Sequence, residues 1–486
     1  MINLIAILPP KMHRMTHADF ISELRLIIKN NGSVITNAHK MHPYLIDWRK
    51  RVTGQTLAIV EPQHVADILL IVDLCKSKNI TITPQGGNTG GCGGCIPGEN
   101  PNIILSLRQL NKVRDYDPIG QTLTVESGCT LDYVQAITKP DQLYFPLSLS
   151  SSKNCTIGGN LATNAGGYCV VQNGMTRNNV LGIEVVLSNG HLYSDLRKLK
   201  KNNDSYDFKN IFLGSEGTLG IITAAVLELK HLPIDHIGAI VGATNLSTTI
   251  EFIHELKKSL EINITAVEIF SNECLDLVKK LDNQCEIKID KYDWYLIIDI
   301  GIYHVEQKTV YHNILSGVLN KYTHSMSYHV YSTEFDRYQA WKIRSTIPLA
   351  EKQHSGYIIK NDISLPLSSW VSFYKEAQTL KKHYPEMSFI IFGHIGDGSL
   401  HFNIQHRREG EEQIKKDLYQ IVRHYQGSIA AEHGVGQTKL QDVEEFHSNN
   451  HNTLMRLIKK SLDPQNIFNP GKAVSYEHPS RKDHIF

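Results

Sequence analysis

The 486-residue chain has no run approaching the 18 or so consecutive apolar residues that a membrane span requires. Its longest apolar stretches have the length of buried strands. Nor is there an excess of either charge. Fifty Lys and Arg stand against 49 Asp and Glu, so nothing draws the chain to nucleic acid or to an anionic membrane surface. Cysteine is scarce, with eight (75, 92, 95, 129, 155, 169, 274 and 285), which excludes a disulfide scaffold and points to free thiols. Cys92 and Cys95 form a CxxC, but no second CxxC or nearby histidine pair completes a zinc tetrahedron. Pro97-Gly98 follow where a redox motif would open a helix, so the pair reads as small residues packed in a loop. The N-terminus also makes a poor signal peptide. The apolar run 2–8 has no Lys or Arg before it and stops at Pro9-Pro10, so a cytoplasmic protein is expected.

What remains is an ordinary globular composition, 41% hydrophobic and 20% charged, long enough for about three structural units. The β-branched run 56–60 predicts a strand, and Val65, Ile68, Leu69, Val72 and Cys75 recur at helical spacing after it. Strands at 80–83, 102–107 and 121–126 and a helix over 130–138 continue an α+β pattern, completed by strands at 182–187 and 220–229. Pro233 and the polar run after it set a boundary, giving a first domain over 1–232. From 233 to 425, helices at 248–260 and 272–281 alternate with strands at 266–270 and 294–300, which predicts an α+β cap with a ferredoxin-like arrangement. Residues 426–486 are too few to fold alone and are expected to pack back on the first domain.

Three glycine-rich loops fall in the first domain. Pro84-Gln85-Gly86-Gly87-Asn88-Thr89-Gly90-Gly91-Cys92-Gly93-Gly94 follows a strand, and its amides can converge into a nest for a diphosphate. It is neither a Walker A loop nor a GxGxxG fingerprint. The second loop is Thr156-Ile157-Gly158-Gly159-Asn160-Leu161-Ala162-Thr163-Asn164-Ala165-Gly166-Gly167, and the third is Gly214-Ser215-Glu216-Gly217-Thr218-Leu219-Gly220. Three such loops in one domain imply a large ligand approached closely by backbone.

Together these loops resemble the FAD-binding domain of the vanillyl-alcohol oxidase and p-cresol methylhydroxylase superfamily. The resemblance implies a two-subdomain FAD-binding fold. Gly86, Gly87, Asn88, Thr89 and Gly90 would cradle the FAD diphosphate, and Thr156, Gly159, Asn160, Thr163 and Asn164 would lie along the flavin. Glu216 and Gly217, with Ile221, would contact the adenine half, and Pro146 and Asn469 complete the implied cofactor set. No histidine lies in the first loop, so the FAD is expected to be non-covalent.

The second half holds Gly393-His394-Ile395-Gly396-Asp397-Gly398-Ser399-Leu400-His401-Phe402-Asn403. Asp397-Gly398 between two apolar runs is a strong hairpin signal. A two-residue turn there makes Ile395 face Leu400 and His394 face His401, with Asn403 on the same face. Opposed imidazoles can share one ion, or can simply decorate a polar sheet face. Ala430-Ala431-Glu432-His433-Gly434-Val435-Gly436 offers a further carboxylate, and two histidines with a carboxylate are a catalytic zinc set with an open position.

These segments, with Asn469-Pro470-Gly471-Lys472, are similar to the FAD-linked D-2-hydroxy-acid dehydrogenases, the branch holding D-2-hydroxyglutarate and D-lactate dehydrogenases. The resemblance implies His394, His401 and Glu432 as ligands of a divalent metal, zinc in the family. It implies His433 as the base and Asn403 as a substrate contact. Trp341-Lys342-Ile343-Arg344 and Lys360-Asn361-Asp362 are similar to the segments whose Arg and Lys hold substrate carboxylates, which implies Arg344 and Lys360. Where the hydroxyglutarate branch has a threonine four residues after that arginine, this chain has Pro348. The implied reaction oxidises a D-2-hydroxy acid, D-2-hydroxyglutarate before D-lactate, D-malate or glycolate, with hydride passing to the flavin N5. Electrons would then go to an electron-transfer flavoprotein or quinone. A homodimer is also implied, with no membrane span and no nucleic acid. A metal-free flavin oxidase and a non-catalytic FAD-binding subunit are the other readings.

Overall fold

Strand and helix alternate from Ile59–Pro62 and Val65–Lys78 onward in the computed structural model. It describes residues 16–29, 32–99, 101–260, 263–282, 289–331, 333–354 and 356–476. The apolar run 2–8, Cys285 and the segment 477–486 lie outside the described residues. The seven described cysteines are free thiols.

A four-stranded and a five-stranded sheet, with a two-stranded pair of Leu143–Tyr144 and Lys230–His231, make up the first half among the described residues. The first runs Gly32–Ile35, Ile59–Pro62, Asn102–Ser106, Thr81–Gln85, and its last three strands are parallel. Helix Val65–Lys78 supplies the crossover that parallel pairing requires, burying Ile68, Ile71, Val72 and Cys75. The second is fully antiparallel, in the order Val113–Asp117, Thr122–Glu126, Ile221–Glu228, Val180–Val186, Leu192–Asp195. The first glycine loop leaves the end of Thr81–Gln85, the second opens helix Ile157–Ala162, and the third leads into Ile221–Glu228.

An eight-stranded antiparallel sheet dominates residues 235–405. Its main order is Met326–Val330, Asp235–Ala243, Trp294–Ile302, Ile264–Ser271, Ser388–His394, Ser399–Gln405, Ile358–Ile359, and Asp362–Ser364 also pairs with Ser399–Gln405. One face carries Val267, Ile269, Ile298, Ile300, Leu400 and Phe402 into a core with helices Leu246–Leu260, Gln307–Asn320 and Trp370–Gln378. The alternate residues Glu268, Asp299, His394, His401 and Asn403 fall on the other face. Helix Glu334–Gln353 covers that polar row with Arg337, Trp341, Arg344, Pro348 and Glu351, which repeat every three or four residues.

The hairpin differs from the sequence expectation. Its connection is four residues long, so His394 faces Ser399 and His401 faces Phe392. A two-residue type I′ turn needs both central residues at positive φ, and of Asp397-Gly398 only Gly398 takes it, at +85°. The slip is two residues, an even number, so both histidines stay on one face as diagonal neighbours with ring centroids 6.1 Å apart.

The end of the chain inserts into the first half. Phe468 bridges Ile82, and both Ile467 and Phe468 are buried in the core of the first sheet. Lys459, 1% exposed, donates to the carbonyls of Thr218 (2.7 Å) and Phe468 (2.8 Å) and pairs with the buried Asp463. Lys459→Met leaves Asp463 buried without its cation. We expect a loss of about 3 kcal/mol, read as a lower urea midpoint; an unchanged midpoint would show the pair to be dispensable.

Candidate active site

One cavity of about 1210 Å³ is lined by Gly86, Gly87, Asn88, Thr89 and Gly90 of the first loop and by Thr156, Gly159, Asn160 and Thr163 of the second. Glu216, Gly217 and Ile221 line it as well, and it reaches Arg344, Lys360, Asn403, His394, His401, Glu432 and His433. Ordinary small-ligand pockets measure roughly 300–1,000 Å³. This one has room for a dinucleotide-sized cofactor and a small substrate together.

The loops present mainly backbone to that space. Asn88, at φ +53°, donates its amide to the carbonyls of Pro43 (3.1 Å) and Ile46 (3.0 Å) and accepts from the Cys95 thiol. Thr156 caps helix Ile157–Ala162, Thr163 donates to the Gly159 carbonyl (2.9 Å), and Asn160 faces the Cys155 sulfur. These side chains brace the loops, leaving peptide N–H groups for an anionic ligand. A Cβ on Gly87 would stand 2.0 Å from the Asn154 carbonyl oxygen, whereas Gly90 faces open space. Arg108, a residue the sequence reading missed, supports the nest by donating to the carbonyls of Gly86 (3.1 Å) and Gly87 (2.9 Å). A diphosphate-bearing cofactor fits this cradle.

Pro146, Asn164 and Asn469 do not line the cavity. Pro146 is buried, and the Asn164 side chain accepts from the Arg177 amide (2.9 Å). Asn469 instead fastens two loops, donating to the carbonyls of Gly94 (2.8 Å) and Glu216 (2.7 Å). Glu216 makes a second link. Its carboxylate accepts the amides of Val435 (2.7 Å) and Gly436 (2.8 Å), tying the third glycine loop to the bend after His433.

At the other end of the cavity the titratable groups converge on Glu432. Its carboxylate lies 3.5 Å from His394 Nε2, 3.5 Å from His401 Nε2 and 3.3 Å from His433 Nε2. Asp362, His401, Glu432 and His433 each place one ligand atom within 4.8 Å of the others. The Asp362 Oδ2, however, already accepts the amides of Glu432 (3.2 Å) and His433 (2.9 Å) and lies 3.5 Å from His433 Nδ1. It is built to orient that bend.

Burial pushes His401 down to about 3, keeping its ring neutral with a lone pair to donate. Burial also opposes charge on His394, but the Glu268 carboxylate against Nδ1 outweighs it and holds the pKa well above the usual histidine value, so a cation binding at Nε2 would displace a proton. That contact leaves Nε2 aimed at the cluster. Glu432 stays ionised because its histidine contacts outweigh its burial. Two imidazoles and a carboxylate fit a divalent cation of the zinc type.

The wall between the two ends belongs to helix Glu334–Gln353. Arg344 donates from Nε to Glu268 Oε2 (2.6 Å) and lies over the Phe392 ring. Lys360 and Asn403 both donate to Glu351. Pro348 lines the cavity within the same helix, where it removes the amide that would bond the Arg344 carbonyl. The Thr346 hydroxyl turns away to the Lys342 carbonyl (2.7 Å).

Residues 56–194 match the family described as FAD binding domain, and residues 235–473 match FAD linked oxidases, C-terminal domain. A Danio rerio protein named D-2-hydroxyglutarate dehydrogenase, mitochondrial, is 32% identical over 96% of this chain and 87% of its own. A Stutzerimonas stutzeri D-2-hydroxyglutarate dehydrogenase is 29% identical, covering 94% and 99%. Substrate-bound p-cresol methylhydroxylase superposes with a TM-score of 0.73 at 19% identity, over 94% of this chain and 97% of that one. An alkyldihydroxyacetonephosphate synthase gives 0.71 at 18% identity, over 94% and 85%. No helix among the described residues is long and apolar enough to cross a membrane. Two domains matched in order and a relative alike along nearly the whole chain place this protein in the family of FAD-linked dehydrogenases that includes the D-2-hydroxyglutarate dehydrogenases.

Proposed function

We propose that this protein oxidises a D-2-hydroxy acid, D-2-hydroxyglutarate foremost, to the 2-oxo acid. One observation carries the reading: a single cavity joins the glycine-loop cradle, two side-chain cations and the His394–His401–Glu432–His433 cluster. FAD when bound supplies a two-electron acceptor for the C2 hydrogen, and a divalent cation at His394, His401 and Glu432 supplies Lewis acidity for the alcohol. His433 Nε2 takes the hydroxyl proton, while Asp362 orients the ring and balances the imidazolium. Arg344 has Nε committed to Glu268 and offers its terminal nitrogens to a carboxylate. Lys360 offers ammonium donors for the second carboxylate of a dicarboxylate. Asn403 gives one N–H to Glu351, and its oxygen accepts from the Asn361 amide, so it contributes a single remaining N–H. Reoxidation falls to a separate acceptor, an electron-transfer flavoprotein or quinone, because the glycine loops carry no nicotinamide fingerprint.

The test is anaerobic bleaching of the flavin absorbance by D- and L-2-hydroxy acids, with metal analysis of the same sample. We expect rapid bleaching by D-2-hydroxyglutarate, slower bleaching by D-lactate, none by the L-acids, and one divalent ion per chain. Pro348 makes the comparison of tails informative, since it lacks a hydroxyl for the distal carboxylate. Failure of every hydroxy acid to bleach the flavin would remove the proposal.

A further inference from the structure

Glu351 lies one turn beyond Pro348 on helix Glu334–Gln353, with a side chain that solvent does not reach (0%). Ile347 and Ala350 on the same helix are buried and apolar, so an apolar residue could have filled this place. A buried carboxylate instead forfeits its hydration unless it is paired and hydrogen-bonded. Here both oxygens are engaged, Oε2 by Lys360 Nζ (2.9 Å) and Oε1 by Asn403 Nδ2 (2.6 Å). Asn403 is fixed from its other side as well. Its Oδ1 accepts the Asn361 amide (3.0 Å), and Asn361 Nδ2 donates to the Phe402 carbonyl (3.0 Å). The Asn403 amide therefore cannot turn over, and its Nδ2 must face Glu351.

We infer that Glu351 is a positioning residue: it holds the Lys360 ammonium and the Asn403 amide at a fixed separation, so that both present donors to one substrate carboxylate. This rests on reading Lys360 and Asn403 as substrate contacts. Lysine has a flexible four-carbon stem and three ammonium protons. Tethered by one carboxylate oxygen, Lys360 keeps two protons for an anion while its side chain remains 27% exposed to the cavity. The pair is near neutral, so it anchors by directed hydrogen bonds more than by net charge.

Glu351→Gln tests the inference because glutamine has a single carbonyl oxygen. The locked Asn403 amide claims it, leaving Nε2 against the Lys360 ammonium, donor against donor. We expect KM for the best hydroxy acid, and Kd for its 2-oxo acid followed by perturbation of the flavin spectrum, to rise about tenfold. The turnover number should change less than about threefold. FAD content of the folded protein should stay at the wild-type value.

With Lys360→Met already present, Glu351→Gln should add no more than about twofold, since the partner it misplaces is gone. That double variant also lacks the donor clash and decides the matter should the single variant fail to fold. An unchanged KM and Kd, fully multiplicative effects in the double variant, or a rise in KM that merely tracks lost FAD would each overturn the positioning role. A wild-type protein that neither reacts with nor binds any acid of the panel overturns the functional reading and this inference with it. A normal wild type beside an unaffected variant overturns this inference alone.

Discussion

His401→Ala should lower turnover at least about 10³-fold, equivalent to about 4 kcal/mol of transition-state stabilisation, while FAD stays bound. His401 is central to the cluster on two counts. It sits on the strand Ser399–Gln405 in register with Asp362, and its neutral ring is 3.5 Å from Glu432. Without it, His394 and Glu432 remain as two protein ligands, too few for a stable catalytic zinc site. The cofactor loops belong to other sheets, so the flavin spectrum should be kept. Chelation of the wild type should cause the same loss, and added zinc should reverse it in the wild type but not in the variant. Full turnover by metal-free protein would falsify the cation's role.

His433→Gln should lower the turnover number by about 10²–10⁴-fold, the usual contribution of a positioned base, with metal and FAD both retained. Metal content separates the two roles open to this histidine. His433 Nε2 lies 3.3 Å from Glu432, close enough to belong to the ligand cluster. Yet its Nδ1 and its amide both face Asp362, the arrangement that orients a ring for proton transfer. Loss of the ion along with activity would reassign His433 as a ligand. Retention with a large fall in turnover supports the base.

Most of the architecture was legible because local pattern and tertiary structure agree. Helix Asn272–Leu281 has the expected bounds, and the helical spacing after residue 64 is helix Val65–Lys78. Both ends of the cavity were also legible, since glycine clusters and a histidine hairpin are local signals. The supporting residues were not. Glu268 is the lone charged residue of its buried strand, a hint that something opposite it is charged, but its partners His394 and Arg344 lie 126 and 76 positions away. Asp362, Glu351 and Arg108 likewise act through distant partners. Asn88 and Asn164 have residue types suited to binding, yet spend polar atoms on protein partners, Asn88 on the carbonyls of Pro43 and Ile46 and Asn164 on the Arg177 amide, and no spacing rule separates these uses.

The insertion of residues 467–469 beside Ile82 also sets an order of events during synthesis. The strand Thr81–Gln85 and the loop after it leave the ribosome hundreds of residues before the segment that bridges Ile82 and ties Gly94 to Glu216. The nascent chain therefore carries an incomplete cradle through most of translation. A contact of this sequence separation closes late and slowly. Flavin should be captured only after residues 467–469 have emerged and folded back, and truncation just before Lys459 should yield protein that accumulates without its yellow colour.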